Sequence, residues 1–322
     1  MLTIFFVLLL FSSNYAGAQD IHFSQIDLNP VLFNPAYAGF FEGQARFGLA
    51  YRNQWASVSK PYQTFAATAE ASLMRNRYNF NGLNAGLMVF RDRAGSLNYG
   101  STAANVMVSY YQSPTASTNN YLSVSLEAGY GQAGFDGDAA DLMDSREIFE
   151  KDRCNYFTLG AGAAWFYQPS EDLVVRVALS ARNLNRPHVS YLGNDSSRVS
   201  TKWNLYGRTE WRFSHNLSLI PLFAAQVQRK YHEVYFGTDL KWYLSEKQDL
   251  IAVWGGVCMR YADAMIFTVG AEYNAFVLAI SYDSNMSKLV AASHSMGAFE
   301  IGLVYRLVPI HKRPGSLPCP IM

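Results

Sequence analysis

Ala298-Phe-Glu-Ile-Gly-Leu-Val-Tyr-Arg-Leu307 carries two sets of side chains in alternation: Phe299, Ile301, Leu303, Tyr305 and Leu307 in one, Glu300, Gly302 and Arg306 in the other. Successive side chains of a strand point to opposite faces, so the segment has one oily face and one polar face. From about Gly43 to Leu307 the same pattern recurs, about ten residues and then a turn, with no helical periodicity between copies. About fourteen such segments fit, an even number that lets the last strand pair with the first and leave no open edge. The expectation is an all-β fold: a transmembrane antiparallel β-barrel of about 14 strands, greasy outside and wet inside.

Composition agrees. The 322 residues are half apolar and 15% aromatic, with 21 Tyr and 21 Phe, yet the mean hydropathy is −0.04. A membrane protein built of helices needs apolar runs of about 18 residues or more, and the chain after its leader has none. A formal net charge of +1 offers no footprint for nucleic acid. Residues 1–18 read as a signal peptide: Leu2 to Phe11 is nearly all apolar and Ala16-Gly-Ala18 is a small-residue cleavage site, although no Lys or Arg marks its start. No Cys follows that site, so lipid attachment there is not expected. The expected organisation is signal peptide 1–18, irregular segment 19–42, barrel 43–307 and a periplasmic tail 308–322, exported to the outer membrane. Cys154, Cys258 and Cys319 make neither a disulfide framework nor a zinc spacing.

Links and charges sharpen the barrel. Links after even strands are mostly short, as at Ser214-His-Asn216, and the two longest, Asp136–Asn155 and Leu184–Ser200, follow odd strands. Short periplasmic turns and longer outer loops are the asymmetry of outer-membrane barrels. With Trp203, Leu205, Thr209 and Trp211 toward lipid, Lys202, Arg208, Glu210 and Arg212 all face the lumen. Arg176, Asp239, Lys241, Glu272, Asp283 and Glu300 follow the same rule. A charge at the lipid mid-plane costs roughly 2–4 kcal/mol, so the phasing is strongly selected. Both signs in one lumen suggest a filled interior more than a wide pore.

The stretch before the first strand differs. It holds two Asn-Pro pairs, Asn29-Pro30 and Asn34-Pro35, and proline removes a ladder donor, so regular strand is not expected. Phe23, Ile26, Leu28, Val31, Leu32, Phe33 and Tyr37 nevertheless demand burial. An ordered plug packed in or under the barrel meets both demands; a frayed leader is the bland alternative.

Three motifs in this region carry a resemblance. His22-Phe23-Ser24-Gln25, then Asn34-Pro35-Ala36-Tyr37-Ala38-Gly39, then Tyr51-Arg52-Asn53-Gln54-Trp55 resemble the N-terminal hallmark of the PorP/SprF family. The resemblance implies an outer-membrane barrel acting with the type IX secretion machinery of the Bacteroidota. It further implies a secreted partner protein, such as a substrate with a type B C-terminal domain or a gliding-motility adhesin. Outer-membrane lipid is the other partner; no small-molecule substrate and no cofactor is expected. The tail after Leu307 departs from many relatives, and a disordered remnant and a periplasmic contact arm both stay open.

Other motifs yield to plainer readings. Gly129-Tyr-Gly-Gln-Ala-Gly134 matches G-x-G-x-x-G but lies within a strand and opens no helix, so a dinucleotide site is not expected. Asp136, Asp138, Asp141 and Asp144 lack the spacing of a calcium loop and read as a solvated acidic loop. The scattered His residues form no H-E-x-x-H, and no Ser occupies a nucleophile elbow, so no enzyme is expected. Loops carry binding on a rigid scaffold, which makes Phe149, Arg153, His188 and Tyr191 candidate partner contacts. A diffusion channel or small-solute transporter is the alternative function.

Overall fold

The computed structural model describes residues 21–55, 60–76, 80–95, 97–115, 119–136, 152–190, 197–245, 251–287 and 296–307. Two short 3-10 turns, Pro30–Leu32 and Pro35–Tyr37, precede the strands. The strands are β1 (Ala45–Gln54), β2 (Tyr62–Asn76), β3 (Asn81–Ala94), β4 (Tyr99–Gln112), β5 (Asn120–Gly134), β6 (Arg153–Ser170) and β7 (Leu173–Arg182). They continue as β8 (Lys202–Ser214), β9 (Leu217–Gln228), β10 (Tyr231–Ser245), β11 (Ile251–Arg260), β12 (Ala264–Tyr273), β13 (Phe276–Asn285) and β14 (Met296–Leu307). Each pairs antiparallel with its sequence neighbours, and β1 pairs with β14 from Ala45↔Leu307 to Gln54↔Ala298, closing the barrel. Closure gives every wall strand two partners, the condition for backbone in lipid, where no water can satisfy a free N–H or C=O.

Alternation is visible strand by strand. In β5, Leu122, Val124 and Leu126 stand outward while Tyr121, Ser123, Ser125 and Glu127 are buried inward. In β14, Phe299 and Leu303 are exposed while Glu300 and Arg306 are buried. One interruption of the ladder falls at Pro221, which has no N–H to give: between Arg208↔Leu222 and Trp211↔Leu219 no pair forms. The glycine run from Gly129 to Gly134 lies inside β5.

Boundaries shift slightly. β1 begins at Ala45, with Gly43 and Gln44 in the preceding link, and β6 begins at Arg153, earlier than the expected 156. Arg153 is therefore a strand residue at the rim rather than a loop residue; its alternation places it with Asn155 and Phe157 on the outer face. Residues 21–41 are no frayed leader, because they pack inside the barrel. Residues 1–18, the tail 308–322, Phe149, Tyr191 and the acidic residues Asp138, Asp141 and Asp144 lie outside the described residues.

Candidate functional site

The lumen is filled by residues 21–41, which run its length from the end with the long links toward the end where β1 begins. At the first end, Lys202, the first residue of β8, donates to the Ile21 carbonyl at 3.0 Å. Phe23 is buried against Ala50 and Ala66. The carboxylate of Glu300 accepts the backbone N–H groups of Ser24 and Gln25 at 2.8 and 2.9 Å. Arg52 spans the same spot, donating to Ser24 Oγ at 2.6 Å, to Asp283 at 2.8 Å and to Glu300 at 3.1 Å. Arg260 adds a second cation on Asp283 at 3.1 Å. Gln25 completes the anchor by donating to Ser281 Oγ and to the Glu300 carbonyl, both at 3.1 Å.

His22 sits among these cations. Burial, together with Arg52, Arg260 and Lys202, holds its imidazole well below the ordinary 6.5, with Asp283 pulling weakly the other way. Folded, His22 stays neutral; released, it takes up a proton below pH 6.5. The anchor is therefore at full strength above that pH and weakens as pH falls below it. Limited proteolysis of the segment should accelerate between pH 7.5 and 5.0 in the native barrel, and His22→Asn should flatten that dependence. An unchanged cleavage rate across the range would refute the assignment.

The middle of the segment is held mostly by its own carbonyls. An irregular backbone buried away from water must find partners for each polar group, and small lumenal side chains supply them. Arg182 donates to the Val31 and Leu32 carbonyls, at 2.8 and 2.6 Å. The Phe33 carbonyl accepts from Ser180 and Asn204, that of Ala36 from Ser123 at 2.8 Å, and that of Ala38 from Ser109 at 2.7 Å. Asn34 caps the second turn by accepting the Ala36 N–H at 2.8 Å and donates to the Ala163 carbonyl at 3.3 Å. Pro35 opens that turn, where its missing N–H is no loss. Tyr37 then meets Phe166 and Tyr206 edge-on, at centroid distances of 5.3 and 5.9 Å.

The exit is as tight as the entry. Gly39 adopts φ +74°, and a Cβ there would overlap the Asn84 side chain, so both its conformation and its space require glycine. Its N–H donates to Glu70 at 3.2 Å, Glu70 pairs with buried Arg46 at 2.8 Å, and Arg75 donates to the Phe41 carbonyl at 2.8 Å. Beside residues 24–28 a cavity of about 110 Å³ remains, lined among others by Leu28, Arg208, Ile220, Asp239, Trp254 and Glu272. Its ionic groups are largely paired among themselves: Arg208 with Asp27 at 3.3 Å, and Lys241 and Arg306 with Glu272.

Most motif residues from the sequence thus converge. His22, Phe23, Ser24 and Gln25 meet Arg52, and Asn34 to Gly39 thread the aromatic centre. Gln54 and Trp55 do not join them: Trp55 lies past the end of β1 with its ring against Tyr62 at 4.9 Å. Glu300 and Asp283 were legible only as lumen-facing charges, and Ser109, Ser123, Ser180, Asn204 and Arg182 not at all. Inward parity would have flagged them, since each occupies the buried face of its strand. Of the loop candidates, His188 is exposed and bridged to Arg198. No group of three or more His, Cys, Asp or Glu able to hold a metal occurs among the described residues.

The family described as type IX secretion system membrane protein PorP/SprF matches residues 16–305. The chain belongs to that family. In this PorP/SprF barrel, then, most residues of the three motifs have a structural reason: they form the lumenal segment and, through Arg52, the latch that holds it at the end with the long links. No curated protein matches the chain in sequence. Solved structures similar to this PorP/SprF protein include the CymD monoaromatic hydrocarbon channel, at 9% identity and TM-score 0.52, covering 89% of this chain and 94% of that one. The P. putida toluene transporter TodX is similar at 10% identity and TM-score 0.50, covering 86% and 93%. At such identities the likeness is one of fold, an outer-membrane barrel.

Proposed function

We propose that this barrel is a non-enzymatic docking member of the type IX secretion system, which receives, anchors or assists the export of a secreted partner protein at its outer mouth. The observation that carries the reading is the filled lumen. A barrel whose interior is bonded to its own chain from Ile21 to Phe41 offers its rim and links, rather than a conduit, to other molecules. Links on the long side, including exposed His188 and Arg186, are the surface such a partner would meet.

Deleting the gene and comparing the surface and medium proteomes tests this. Loss of one or a few type IX cargoes from the surface, with the rest exported, is the expected result. An unchanged surface proteome would sink the proposal. The channel reading draws support from the names of CymD and TodX. Conductance or solute uptake by the intact barrel, at the level of an open pore, would favour it instead.

A further inference from the structure

The inward rule for charge has an exception. Among the described strand residues, the charged side chains standing on the outward face are Arg91 and Arg93 of β3 and Arg153 of β6. All are arginines, and all lie at the end with the long links. Register brings them together: Arg93 pairs with Gly100, Gly100 with Gly134, and Gly134 with Arg153, forming one row across four strands. The next row inward along the wall is Arg91, Thr102, Gln132 and Asn155, all exposed. Below that comes Val89, Ala104, Tyr130 and Phe157, where the apolar belt begins.

The patch has the shape of a shallow tray. With strands about 4.8 Å apart, Arg93 and Arg153 stand roughly 14 Å from each other. Between them the floor carries no side chain. A Cβ on Gly100 would come to 2.0 Å from the Asp92 carbonyl oxygen, and one on Gly134 to 2.9 Å from that of Asp152. Arg91 and Arg93 have no ion-pair partner among the described residues, and Arg153 has only a loose, exposed contact with Asp152 at 3.8 Å. Gln132 donates to Asn155 at 3.0 Å within the tray.

Guanidinium groups on a lipid-facing wall are tolerated only near the headgroups, where their cost falls to about 0–1 kcal/mol. Their planar forks match phosphate oxygens in pairs. We propose that the outward face of β3 to β6 at the long-link end binds the phosphates of an anionic glycolipid of the outer leaflet, of the lipid A class. Its sugar would rest on the glycine floor and its acyl chains along the Val89, Ala104, Tyr130 and Phe157 row. This site is independent of the partner-docking proposal, because it lies on the wall rather than at the mouth.

The full barrel in nanodiscs or detergent, challenged with diphosphorylated lipid A, its dephosphorylated form, phosphatidylcholine or inorganic phosphate, tests the site by native mass spectrometry. Lipid A should be retained selectively, and R91Q/R93Q/R153Q should weaken it by roughly tenfold or more, with the heat-modifiable gel shift of a folded barrel preserved. Should the triple variant not fold, Arg93→Gln and Arg153→Gln singly should each lose about threefold. Equal retention of the dephosphorylated lipid, unaltered lipid A binding by these variants, or full competition by inorganic phosphate at equal concentration would each overturn the proposal.

Discussion

A barrel lacking residues 21–39 will conduct ions where the intact barrel does not. In the native lumen these residues close the space between opposite walls, and their carbonyls take up the inward donors of Ser109, Ser123, Ser180, Arg182 and Asn204. Without them the same donors turn to water, and a polar channel lined by both signs of charge remains. The wall itself depends on strand pairing, including the β1–β14 seam, none of which the deletion touches. Single-channel recordings in planar bilayers should show conductance rising by roughly tenfold or more over the intact protein. Equal conductance in both, with the deleted form shown folded by its gel shift, would mean that the segment does not seal the lumen.

Arg52→Met should be the most damaging single substitution in the plug. Arg52 is buried and joins Asp283, Glu300 and Ser24, so its loss leaves two buried carboxylates facing each other with only Arg260 to offset them. Breaking a buried ion pair by removing one partner costs roughly 3–5 kcal/mol, whereas replacing all partners by neutral groups is far milder. The expected signature is therefore a large fall in the urea midpoint for R52M and substantial recovery in R52M/D283N/E300Q. Protease access to residues 21–30 should rise in the single variant and fall back in the triple. A loss below about 1 kcal/mol in R52M, or no recovery in the triple variant, would show that the cluster does not latch the segment.

The wall was legible because alternation in lipid is a severe constraint: a strand such as 296–307 can place Phe299 and Glu300 in only one way. The same parity placed Asp283, Glu300 and Lys241 in the lumen without knowledge of any contact. It could not say which inward residues share a height. Arg52 and Glu300 are brought together by the register of the β1–β14 seam, which no local pattern encodes. The hydroxyls and amides that hold the irregular segment are small and common, so their sequence signal is faint. The strand placement of Arg153 is hidden for a related reason. Its strand starts three residues before the alternation becomes plain, and a rim arginine looks the same whether it crowns a loop or a wall.

The threaded segment also dictates the order in which the molecule can be made. Its two described ends lie at opposite mouths of the lumen, Ile21 beside Lys202 and Gln44 where β1 begins. A finished cylinder could receive such a thread only if its free end were drawn through the full bore. Otherwise the sheet winds around the thread as around a mandrel, and the seam between β1 and β14 closes last.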